Sequence, residues 1–248
     1  MAGRAAEPEV IWARPERAGR GPRPAYSRAD IVAAAVRIAD ADGIDAVSMR
    51  RIAAEVGCGT MSLYNYVPRK EDLYELMVDA VSAEYDLPDP PSGDWRADML
   101  AVGRQARAIL RRHPWVIRLM TTAYAFGPQA LRFLEGCLAC LDGLDLPGGT
   151  KMELIATVNG TVMTIVANEL ALAERARGLP WSEEQEQAVR GAYLMGRLAE
   201  GGHPRLAAVL SESGGAPLDP EEIFERTLGR ALDSFVVGQV LEDRPDRT

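Results

Sequence analysis

The sequence predicts an all-α protein, and three observations carry that reading. Apolar residues recur at helical spacing along nearly every segment, capping signals open one segment after another, and no alternating pattern long enough for a strand interrupts them. About nine to ten helices are expected, arranged as a three-helix head followed by a helical body.

Residues 1–25 are rich in Arg, Pro, Gly and Ala without a period, the composition of a disordered arm. Its Arg14, Arg17, Arg20 and Arg23 are read as a solvated tail, with contact to a minor groove or to phosphates as the alternative. The first helix opens on a capping box of Ser27 and Asp30, carries Ile31, Ala35 and Ile38 on one face, and stops at Gly43. Ser48 caps a second helix in which Ile52, Ala53 and Val56 share the buried side. Gly57, free to take a positive φ, turns the chain before Thr60 to Tyr66 wind again with Leu63 pointing inward. Pro68 stops that helix and Lys70 opens the next.

Two short helices about a glycine break have the layout of a helix-turn-helix, whose second helix reads DNA. Short hydroxyl and amide side chains suit base edges and phosphates, and the hydroxyls of Tyr64 and Tyr66 suit phosphate oxygens. Charge agrees once it is divided. The net charge of −8 is unpromising for a DNA binder, yet residues 11–70 hold ten Lys or Arg against six Asp or Glu, while residues 71–248 hold 17 against 28. A basic head on an acidic body keeps DNA contact local.

Beyond the head, Asp94-Trp95 begins a helix to Arg112, Pro114 restarts one, and Gly127-Pro128 begins another that ends near Gly143. Lys151 to about Gly178 is long and broadly apolar, Ser182 with Gln185 boxes a helix to about Glu200, and Ser211 to Asp219 reads as a mobile loop. A final helix from Asp219-Pro220 places Ile223, Phe224, Leu228, Leu232, Phe235, Val236 and Val240 on one side. The expected domains are the arm 1–25, a DNA-binding head 26–75, and an effector-binding and dimerisation body 76–248.

The stretch Ile31 to about Met77 resembles the DNA-binding domain of the TetR family of one-component transcriptional regulators. The run Ser62-Leu63-Tyr64-Asn65-Tyr66-Val67 with Lys70 meets the family pattern, with Val67 where Phe is commoner. The resemblance implies that Ser62, Tyr64, Tyr66 and Lys70 contact backbone phosphates and that Gly59, Thr60, Met61 and Asn65 lie nearest the bases. Arg28 and Ser48 complete the expected DNA-binding set. The body resembles the tetracycline-repressor branch through His113-Pro114-Trp115, Phe126-Gly127-Pro128-Gln129-Ala130-Leu131 and Leu232-Asp233-Ser234-Phe235. That resemblance implies a homodimer in which the long helix and the last helix form a four-helix bundle with their mates. It also implies an effector held inside the body, and a pendulum-like shift of the helix at Lys70–Tyr85 that respaces the two readers.

On this basis the effector is expected against Val102, Gln105, Ala106, Trp115, Leu119, Tyr124, Phe126, Met163 and Asn168. Metal-drug members of the branch use a histidine where Ala123 stands here and a carboxylate where Asn168 stands, so neither metal nor cofactor is expected. The effector is read as small and mostly apolar.

Three cysteines give no disulfide framework, and the chain opens without a signal-peptide pattern, which points to a cytoplasmic protein. The longest uncharged apolar stretch, Leu154 to Asn168, is 15 residues, short of the roughly 18–20 that span a bilayer, so no membrane segment is expected. Cys137-Leu138-Ala139-Cys140 has redox-motif spacing but lies mid-helix with no His or Lys beside it. The sequence therefore reads as a repressor released from a palindromic operator by its effector. An all-helical thiol redox enzyme built on Cys137 and Cys140, or an architectural DNA binder without effector, is the alternative.

Overall fold

The structure, a computed structural model, describes residues 10–14, 26–120, 126–212 and 219–242. Among them are eleven α-helices and no strand. The chain divides into two compact units, Met1–Met163 and Thr164–Thr248.

In the first unit, α1 (Arg28–Asp42) opens on the expected box: Ser27 Oγ accepts from the Asp30 backbone N–H at 3.1 Å, and Asp30 accepts from the Ser27 N–H at 2.7 Å. Gly43, at φ +81°, ends it. A 3-10 turn over Ile44–Ala46 leads to α2 (Met49–Val56), where Ser48 Oγ accepts from the Arg51 N–H at 3.3 Å. Gly57 takes the left-handed conformation, φ +79°, as its place between the two helices requires. The helix α3 is only Thr60–Leu63, shorter than the expected Thr60–Tyr66. The next residues tighten into turns, Asn65 N–H to Ser62 O and Tyr66 N–H to Leu63 O, because Pro68 forces Val67 out of helical geometry. Ile31, Ala35, Ile38, Ile52, Leu63 and Val67 form the core beneath.

The next helix, α4 (Lys70–Ser82), packs on α1 and, at its far end, on α7 (Pro128–Cys140). The expected boundary at residue 75 thus falls mid-helix, and the compact units do not divide there. Between these helices run α5 (Trp95–Arg112), capped by Asp94 onto the N–H groups of Arg96 and Ala97, and the five-residue α6 (Trp115–Leu119).

The long α8 (Gly148–Gly178) crosses the division between the units. With an 18-residue window of mean hydropathy 1.3, it is long and apolar enough to span a membrane by that measure, which corrects the shorter estimate from uncharged residues alone. Along it Leu154, Ile155, Val158, Val162 and Val166 are buried. In the second unit, α9 (Glu183–Ala199) opens on the Ser182–Gln185 box, and α10 (Pro204–Glu212) follows in a stretch for which the sequence predicts no helix. The last helix, α11 (Pro220–Glu242), buries Phe224, Leu228 and Leu232. Of the expected loop Ser211–Asp219, residues 213–218 lie outside the described residues, as does the side chain of Val240.

The arm departs from expectation in part. Residues 11–13 form a turn, and Ile11 is only 2 % exposed, because Ile11 and Trp12 are apolar enough to seat against the head. Arg17, Arg20 and Arg23 lie outside the described residues.

Candidate DNA-reading face and effector cavity

The α2–α3 pair sets the expected reader side chains on one face. Met61 is 78 % exposed and Tyr64 43 %, with Gly59 and Asn65 also exposed. Ser48, Thr60, Tyr64 and Lys70 line a single surface depression together with Arg50, a residue the sequence reading missed. Arg50 sits in the first turn of α2, where a cation opposes the helix dipole, and that misfit was the available signal. Lys70 is exposed and its ammonium lies 5.3 Å from the Tyr74 ring centroid, which aims it from the start of α4.

Three expected contacts are engaged elsewhere. The Tyr66 ring is buried against Tyr26, centroids 5.3 Å apart, and Ser62 hydrogen-bonds the Tyr26 phenol. Burial raises that phenol's pKa. Arg28 is a correction: its guanidinium donates to the carbonyls of Ile11 at 3.4 Å and Arg14 at 3.2 Å, so it holds the N-terminal turn rather than facing the reader surface.

Behind the head lies a cavity of about 150 Å³ between α4, α5, α6, α7 and α8. Val78, Val81, Ile109, Leu110, Val116 and Leu134 make it apolar, Tyr85 and Phe133 make it aromatic, and Ser82 and Asn159 add polar groups. The two rings are tilted against one another with centroids 4.4 Å apart. Burial pushes the Tyr85 phenol well above its ordinary value, which keeps it a protonated donor.

Of the expected effector residues, Ala106 alone lines this cavity. Val102 and Leu119 are buried core, Gln105 is taken up by the Asp86 backbone at 2.7 and 2.8 Å, and Trp115 turns its indole to Asp40. Met163 is half-buried away from the cavity wall, Phe126 is 64 % exposed, and Asn168 is exposed. Tyr124 and Ala123 lie outside the described residues.

Residues 31–77 match the profile of bacterial regulatory proteins of the tetR family, and residues 87–234 match the tetracyclin repressor-like C-terminal domain. The chain belongs to the TetR family. It is 34 % identical over 230 residues to the HTH-type transcriptional repressor DrrR1 of Streptomyces coeruleorubidus, covering 92 % of this chain and 84 % of that one. An HTH-type transcriptional regulator of Saccharopolyspora erythraea is 32 % identical, with 84 % of each chain covered. Among solved structures, the TetR family protein ActR of Streptomyces coelicolor in complex with actinorhodin aligns with TM-score 0.69 at 25 % identity, covering 86 % of this chain and 98 % of that chain. This TetR-family chain is therefore a DNA-binding transcriptional regulator and not an enzyme.

In this TetR-family chain, reader scaffold and cavity share named polar ties. The Asp79 carboxylate, on α4, accepts the backbone N–H groups of Gln129 at 2.9 Å and Ala130 at 3.0 Å, and so caps α7 from another helix. Gly127 is glycine for that reason: a Cβ there would overlap Asp79 and come within 2.7 Å of Trp12. His113 is buried between carboxylates, Nδ1 2.7 Å from Asp40 of α1 and Nε2 2.8 Å from Glu84 just beyond α4. Arg118 of α6 adds a bidentate pair to Asp45 at 2.8 and 3.1 Å.

The cysteine pair does not suit redox chemistry. Burial, with the Cys140 charge next, pushes the Cys137 thiol up to about 12, and burial raises Cys140 as well, so neither is the thiolate that attacks at neutral pH.

Proposed function

We propose that this chain is a homodimeric repressor that acts in the cytoplasm and leaves a palindromic operator when a small, mostly apolar effector fills the cavity behind α4. One observation carries the reading: α4 begins at Lys70 on the reader face and lines the cavity with Val78, Val81 and Ser82. At 1.5 Å rise per residue those positions lie roughly 12–18 Å along the helix, so a tilt at the cavity end moves the reader end. The tilt is the means by which occupancy biases DNA binding.

The lining favours an aromatic ligand held without a metal ion, since apolar side chains and the Tyr85 and Phe133 rings dominate it. A cavity of about 150 Å³ matches a single ring, and a larger effector requires α4 and α7 to part. Crystal structures of ActR hold actinorhodin and (S)-DNPA, so these two compounds are first probes here. Dimerisation is assigned to the helical stretches Leu154–Leu172 and Ile223–Val240, where Leu172 and Val236 remain exposed and Phe235 half-exposed in the single chain.

The test is a thermal-shift screen of aromatic compounds, actinorhodin included, with and without EDTA, followed by competition against an operator selected by the protein from random duplexes. A true effector raises the melting temperature with concentration and loosens operator binding by a coupling of about 1–3 kcal/mol. Stabilisation and DNA release that both vanish on chelation would overturn the metal-free reading.

A further inference from the structure

Trp12 stands outside both family matches, which begin at residue 31, yet it shares one groove with Val32 of α1 and with Leu76 and Ala80 of α4, and abuts Gly127 at the start of α7. We infer that Val10–Arg14 is an intramolecular clasp that holds α4 against α1 and the α7 start, and so sets the reader in its DNA-competent position. The inference rests on the DNA-binding reading above.

The segment is built to dock. Its turn is closed by Ala13 N–H to Val10 O at 3.1 Å and Arg14 N–H to Ile11 O at 3.3 Å; the Arg28 guanidinium shares the Ile11 carbonyl and also donates to that of Arg14. Ile11 is buried, and the Trp12 ring occupies space that opens only because residue 127 has no side chain. The seat and the cavity share α4 and α7: on α4, Leu76 and Ala80 face the clasp while Val78 and Val81 face the cavity, and Gly127, against which Trp12 rests, leads into α7, whose Ala130 and Phe133 line the cavity. Any ligand that shifts α4 against α7 therefore disturbs the clasp, and clasp docking opposes that ligand by the same factor.

The clasp is also releasable. The Trp12 indole N–H is buried with no acceptor among the described residues, and an unsatisfied buried donor works against docking.

The full-length chain is compared with W12A, W12F and G127A, using an operator selected by the wild type from random duplexes. W12A should bind that operator about tenfold more weakly with an unchanged salt slope, because every arginine remains in place. W12F, which keeps a ring and lacks the orphaned donor, should restore binding. G127A should expel the indole and speed chymotrypsin cleavage at the Trp12–Ala13 bond at least severalfold while the rest of the chain resists. W12A that melts and binds as wild type does, or G127A that leaves the bond protected, overturns the clasp. A loss in W12A accompanied by a smaller salt slope overturns it in favour of an arm lying on phosphates. If W12A fails to fold, the wild type supplies the protease reading: chymotrypsin cleavage at the Trp12–Ala13 bond as fast as in an unfolded chain overturns the clasp, and protection of that bond supports it. Failure to select any operator with the wild type defeats the DNA-binding reading instead, and the protease result then still decides whether the segment docks.

Discussion

Trp115 of α6 donates its indole N–H to the Asp40 carboxylate of α1 at 2.7 Å, and His113 meets the same oxygen at 2.7 Å. The helix whose Val116 lines the cavity is thereby fastened to the scaffold of the reader. Trp115→Phe keeps the ring and removes the hydrogen bond, which costs about 0.5–1.5 kcal/mol of stability in a urea titration. Affinity for a cavity ligand should be unchanged, because the indole faces Asp40. A loss of ligand affinity without a loss of stability would put the ring back in the cavity.

Tyr64 and Lys70 are exposed and line the depression on the α2–α3 face, and the proposed reading makes them phosphate contacts. Tyr64→Ala and Lys70→Ala should weaken binding to every duplex alike and lower the salt slope by about one unit each. Asn65→Ala should also flatten sequence preference, and Arg50→Ala should behave as Lys70→Ala does. Operator titrations over a salt series separate the two classes. A folded Tyr64→Ala protein with full affinity would remove that residue from the interface.

Burial holds the Asp79 carboxyl above the usual aspartate range, with the Ala130 and Gln129 N–H groups offsetting part of the rise. The native state thus keeps this proton to higher pH than the unfolded chain, and the contribution of Asp79 to stability falls as pH rises from about 3.8 through its raised value. Asp79→Asn, whose amide oxygen still accepts from α7, should flatten that part of the profile. Asp79→Ala leaves the first turn of α7 uncapped and costs about 1–2 kcal/mol at any pH. Denaturation midpoints of wild type minus Asp79→Asn across pH 3 to 7 provide the measurement, and a difference that rises with pH contradicts the assignment.

Phe235 is half-exposed on α11, beside the exposed Val236, on a helix otherwise anchored by Phe224, Leu228 and Leu232. Phe235→Glu should yield a folded monomer, since an unpaired carboxylate in an apolar interface costs several kcal/mol. Sedimentation of the variant as an intact dimer would move the interface off this face.

The sequence by itself determined nearly all of the helices and the two-helix layout about Gly57. Ser27, Ser48, Asp94, Ser182, Gly57 and Pro68 act on backbone groups within a few residues, so their effects are local and legible. The α10 helix escaped notice because its start, His203-Pro204, reads equally as a turn. Tertiary structure alone decided the site behind the head. Whether Trp115 or Tyr85 faces the cavity depends on which partner each meets, and Asp40 lies 75 positions from Trp115. Likewise Asp79 caps α7 across 50 positions, and Ile11 and Trp12 dock only because Arg28 and Gly127 wait for them. Helical spacing says which side of a helix is apolar; only packing says whether that side meets a neighbouring helix, a hydrogen-bond acceptor or an open space.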